Sequence, residues 1–334
     1  MRVISVVLLL AQAGPLIEGL ERFHQGDYAA AEADLEKALA QRDDARGRAF
    51  LALTRAATGR CEAAMTELST QFAQTSDAQL RRLAGLGLVE CYVARQRHKE
   101  AVDTAARLRE MYPSDADVLY QSARVHMRTW NEILYDMFRR TPSSFRVNQL
   151  SAEIFETQGN YAAAIAEYRK AIEKNPKAIN LHYRLGRALL MESHAPEALE
   201  NARAEFEAEL KLNPFDAVAE YQVAQIRLVQ GKPDLAAPRL SRALEINGNF
   251  PEALVAFGKL KLEARQNDDA IRLLERAVEL APRSEAARYS LMVAYRNAGR
   301  QQDALRVKTE IDKLQKPPEG EFTEFLKKLG EKKP

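Results

Sequence analysis

The sequence predicts an all-α protein made of stacked antiparallel helix pairs. Three observations carry that expectation. Gly and Pro number only 15 and 13 in 334 residues, while Ala, Leu, Glu and Arg are abundant, a composition of helix formers with few breakers. Apolar residues recur at helical spacing along most of the chain. Finally, one segment keeps returning: "GNYAAAIAEYRKAIEKNP" at Gly159–Pro176 has a counterpart in "GDYAAAEADLEKALAQRD", which begins at Gly26.

The N-terminus comes first. "MRVISVVLLLAQAGP" has a basic residue at Arg2, an apolar run from Val3 to Leu10 broken by Ser5, and a small-x-small triplet at Ala11-Gln12-Ala13. Residues 1–13 therefore fit a short secretory signal peptide. The alternatives are an uncleaved first helix or a misplaced start. Nowhere else does the chain approach the ~20 apolar residues needed to span a bilayer.

The repeats follow. Stops fall at Pro142, Pro176, Pro214, Gly248 and Pro282, so successive intervals are 34, 38, 34 and 34 residues. A fixed period near 34 means that one supersecondary unit is stacked repeatedly. Within each unit an upstream helical stretch ("LSAEIFETQG", "VAQIRLVQG", "LMVAYRNAG") ends at a turn, at Gly159, Gly231 or Gly299. A second helical stretch then runs to the stop. About nine such units fill 14–316, leaving no room for a separate catalytic domain.

The period and the residue types closely resemble the tetratricopeptide repeat. The first helix of a pair carries a small residue at Ala52, Ala152, Gly186, Ala224 and Gly258, with Val89 and Met292 departing from the pattern. The second carries a small residue early, at Ala31, Ala64, Ala101, Ala164, Ala236, Ala270 and Ala304. A large one follows four later at Leu35, Leu68, Tyr168, Phe206, Leu240 and Leu274, where Lys308 departs. Small side chains let the helix axes approach and the large ones fill the groove between them. The resemblance implies a right-handed superhelical solenoid of helix pairs that binds proteins.

Irregularities mark particular units. Pro113 to Pro142 spans only 29 residues and "DVLYQSARVHMRTWNEILYDMFRRTP" lacks a glycine turn, so two helices either fuse there or meet at a sharp bend. Trp130, the single tryptophan, lies in this stretch, as a core filler or as an anchor for a partner. The 38-residue unit predicts a second helix one turn longer, opened by Pro196. Pro238 falls near the second turn of a helix opened by Pro233 and predicts a mild kink. After the array, residues 317–334 carry Phe322, Phe325, Leu326 and Leu329 on one helical face. A short amphipathic helix covering the last repeat is expected there.

Charge is balanced, 49 Lys plus Arg against 47 Asp plus Glu, which argues against a nucleic-acid partner. Cys61 and Cys91 form no metal motif. Two free buried thiols are expected, a disulfide between neighbouring helices being the alternative. None of the five histidines has a ligand spacing such as HExxH, and GxGxxG, GxxxxGK[ST] and GxSxG are absent. The sequence implies no catalytic residue, metal or cofactor.

The resemblance places a binding groove on the first helices. Its positions carry over as Asn180, Tyr183, Arg187 and Leu190; Val218, Tyr221, Gln225 and Leu228; Val255, Lys259 and Leu262; and Tyr289, Val293 and Arg296. Tyr183, Tyr221 and Tyr289 occupy equivalent sites, flanked by Arg187, Lys259 and Arg296, with Gln225 between. Tyrosines offer contact area at low entropic cost, and cations hold carboxylates or carbonyls. The family's carboxylate clamp for chaperone tails is not matched: Gln149 and Glu153 stand at its positions in one unit, Tyr183 and Arg187 in the next. The expected function is a non-enzymatic scaffold for a protein or peptide, periplasmic or secreted, acting in bacterial envelope assembly. A cytoplasmic adaptor and an envelope polysaccharide-binding accessory, with sugars stacked on the three tyrosines, are the alternatives.

Overall fold

In a computed structural model of the chain, residues 14–315 are described. The expected signal peptide (1–13) and capping segment (317–334) lie outside them. The described residues form seventeen α-helices and no strand, and none of these helices is long and apolar enough to cross a membrane. Two compact units share them, divided after Arg140.

The first unit holds three helix pairs and one unpaired helix. The pairs are α1 (Pro15–Gln25) with α2 (Tyr28–Gln41), α3 (Ala45–Ala57) with α4 (Cys61–Gln74), and α5 (Ala78–Ala94) with α6 (His98–Met111). Of the two alternatives for the short interval, fusion is the one realised: α7 runs unbroken from Ala116 to Arg140, 25 residues. The second unit holds five pairs, α8 (Phe145–Thr157) with α9 (Tyr161–Lys174), α10 (Leu181–Glu192) with α11 (Pro196–Leu212), and α12 (Ala217–Val229) with α13 (Pro233–Ile246). Two more follow, α14 (Pro251–Glu263) with α15 (Asn267–Leu280) and α16 (Glu285–Asn297) with α17 (Gln301–Gln315).

Local chemistry sets the boundaries. Asp44, Asp77, Asn160, Asp216 and Ser284 each accept a backbone N–H with the side chain and so cap the helix they precede. The turn inside a pair needs one left-handed residue. Gly231 supplies it between α12 and α13, and in the next pair Arg265 adopts the same conformation at φ 59°. The longer unit behaves as its sequence predicts: α11 opens on Pro196 and has 17 residues, where α9, α13 and α15 have 14. Pro238 lies inside α13.

Small-into-large packing holds the pairs together. A Cβ added at Gly186 would lie 2.8 Å from the Phe206 ring, and one at Gly258 would lie 2.7 Å from Leu274. Phe206 and Leu274 are wholly buried. Of the two pairs that break the rule, α5 with α6 compensates: α5 offers Val89, and the buried cluster around it holds Ala105 of α6 at the position where most pairs have a large residue.

Two expectations need correction. Cys61 opens α4 and Cys91 lies near the end of the antiparallel α5, so their Cα atoms come within 5.2 Å and the pair forms a disulfide instead of two free thiols. Trp130 is not a core filler, since it stands 48% exposed. With its helices fused, α7 turns toward α5 and α6 only the face of Val118, Ser122 and Val125.

Candidate binding groove

Every residue expected in the groove belongs to the second unit, on the first helices of its pairs or, for Asn180, at the entry to one. On such a helix, residues three or four apart share a face. Tyr221, Gln225 and Leu228 therefore align along α12, and Glu252, Val255, Lys259 and Glu263 along α14. These two rows and the start of α16 enclose one concavity of about 530 Å3. Tyr221, Gln225 and Lys259 thus line one concavity.

The remaining candidates lie elsewhere. Tyr289 and Arg296 border a second concavity, of about 660 Å3, formed by α16 and α17 with Met292, Leu305, Lys308 and Ile311. Tyr183 and Arg187 on α10 border neither. Tyr183 is half-buried with its ring 5.6 Å from that of Phe206, and Tyr221 likewise lies 5.0 Å from Phe250. Tyr289 is exposed. The three equivalent tyrosines therefore present unequal surfaces. Asn180 is the left-handed entry to α10, and its backbone N–H bonds to Glu209.

Burial raises the phenols of Tyr183 and Tyr221 above the ordinary tyrosine range. Arg187 opposes the shift at Tyr183, while the Glu252 carboxylate adds to it at Tyr221. Both groups are neutral hydrogen-bonding phenols at physiological pH.

Glu252 and Glu263 were missed in the sequence, although the signal was present. They stand seven before and four after Lys259 and so share its face. The concavity is therefore of mixed charge: an apolar floor of Tyr221, Leu228 and Val255, an amide at Gln225, and a cation between two carboxylates. Such a surface can hold an extended or helical peptide by burying apolar side chains and pairing charges of both signs.

Two family descriptions match within this unit, "TPR repeat" over residues 153–192 and "Tetratricopeptide repeat" over residues 227–294. Those two stretches carry tetratricopeptide repeats. The second match includes the last helical turn of α12, all of α13, α14 and α15, and most of α16, so much of the concavity is made of repeat residues. Solved structures similar to this repeat protein include MamA, at 19% identity over 51% of this chain and 91% of that one, with a TM-score of 0.46. MamA from residue 41 onward, from Desulfovibrio magneticus RS-1, gives 18%, 53%, 97% and 0.47. YrrB, described as a TPR protein with an unusual peptide-binding site, gives 22%, 58%, 97% and 0.46. No curated protein matches by sequence.

Proposed function

We propose that this repeat protein is a scaffold that binds a peptide segment of a partner protein in the concavity of α12, α14 and α16, and that it does so as an exported protein of a bacterial envelope. The concavity itself carries the binding reading, with apolar floor, amide and charges on neighbouring first helices. The family matches support a protein-interaction role for the residues that form it.

Two observations support export. Residues 1–13 have the order of a leader. The Cys61–Cys91 disulfide suits an oxidising compartment.

Affinity capture with the full chain, beside Tyr221→Ala/Lys259→Glu, tests the binding reading. A partner retained by the native chain and lost by the variant, at unchanged helicity, is the expected result. Equal retention by both rules out this groove. Sequencing the N-terminus of the protein from its native cells tests export, and a mature chain that begins at Met1 removes it.

A further inference from the structure

Among the described residues of the first unit, most of the exposed large apolar side chains lie on α7. Leu119, Met127, Trp130 and Ile133 fall at i, i+8, i+11 and i+14, within about a third of the helix circumference. Met127 is 61% exposed and Ile133 62%, with Tyr120 and Phe138 also open at the margin of the same stripe. A contiguous exposed stripe of this kind marks a contact surface. Each other first helix of the unit has an antiparallel second helix of its own. Helix α7, whose sequence lacks the turn, has none.

We infer that the stripe is covered by α7 of a second copy of this chain, packed antiparallel about a two-fold axis near residue 128. The charges along α7 select this occupant. At its start Asp115 and Asp117 share one guanidinium, Arg82. At its end Arg139 and Arg140 share one carboxylate, Asp136. One end thus carries a surplus carboxylate and the other a surplus guanidinium, about 37 Å apart along 25 residues. Asp115 and Arg140 border the stripe on its Ile133 side, so antiparallel pairing about residue 128 lays each beside its opposite in the copy and also opposes the two helix dipoles. Parallel pairing sets like against like. A two-fold contact is self-complementary, so one stripe serves both copies. It supplies α7 with the antiparallel neighbour that the missing turn denied it. The inference is independent of the groove in the second unit.

Sedimentation of the full chain at micromolar concentration is expected to give twice the monomer mass. Trp130→Glu/Ile133→Glu is expected to give the monomer at unchanged helicity. Register is read by cross-linking, because both native cysteines are already paired. Met127→Cys sits near the axis and should form a disulfide-linked dimer, whereas Leu119→Cys lies far from its copy and should not. A monomer at every concentration overturns the inference, as does a dimer that survives the Trp130/Ile133 variant. Equal cross-linking at 119 and 127 overturns it too. A monomer that captures a different protein through the stripe makes the occupant heterologous and has the same result. Should Trp130→Glu/Ile133→Glu fail to fold, the two cysteine variants decide alone.

Discussion

Glu209 of α11 accepts a hydrogen bond from the backbone N–H of Asn180, 2.7 Å away, and reaches the N–H of Tyr183 at 3.3 Å. The carboxylate is wholly buried. Helix α10 makes no side-chain cap of its own, because Asn180 enters it in the left-handed conformation. A residue from the second helix of the pair therefore caps the first. Glu209→Ala takes the acceptor from two part-buried N–H groups and should cost about 1 kcal/mol in urea unfolding, while Glu209→Gln keeps an acceptor and should cost less. Equal midpoints for native and Ala chains would remove the capping role.

Gly186 tests the packing rule. A Cβ there meets the Phe206 ring at 2.8 Å, so Gly186→Ala must push aside a fully buried aromatic. A loss of about 1–3 kcal/mol is expected. Adding Phe206→Leu, which makes room, should recover part of it. Two additive losses would show that the residues do not share the space.

The disulfide closes 30 residues of the first unit. By the chain-entropy estimate a loop of that length contributes about 3–4 kcal/mol. Cys61→Ser/Cys91→Ser should therefore melt at lower temperature, and a reductant should lower the native chain to the same point. A reductant without effect on the native melt would contradict this.

Tyr295 gives a pH prediction. Its phenol is pushed up to about 12, first by burial and then by the hydrogen bond it donates to Glu275. The unfolded phenol ionises near 10. Below that value both states hold the proton and the contribution is intact. As pH rises from 10 toward 12 the unfolded chain loses its proton first, so stability falls. Tyr295→Phe should flatten that part of the alkaline profile. An unchanged slope would place the titration on another group.

Period and packing were legible because each depends on residue type at fixed spacing: Gly186 and Gly258 announce a close crossing wherever they stand on a helix. The longer α11 was legible from four extra residues. The groove was only partly so. Repeat equivalence places Tyr183, Tyr221 and Tyr289 alike, yet surface depends on neighbours: Phe206 and Phe250 pack against two of the rings, and Tyr289 has α17 beside it. The carboxylates of Glu252 and Glu263 share the face of Lys259 but stand outside the groove positions that the repeat resemblance carries over. The disulfide needed the relative rotation of α4 and α5, which spacing alone does not give.

The seating of Phe206 against Gly186 and of Leu274 against Gly258 also decides where the second unit can yield. A bulky side chain lodged in a notch of bare backbone works as a key: its two rods cannot slide lengthwise without first prising apart. The α10–α11 and α14–α15 pairs are thereby stiff elements. Accommodation of a guest beside α14 is then expected to fall on the short joints that link α14 and α15 to their neighbours rather than on the packing between the two.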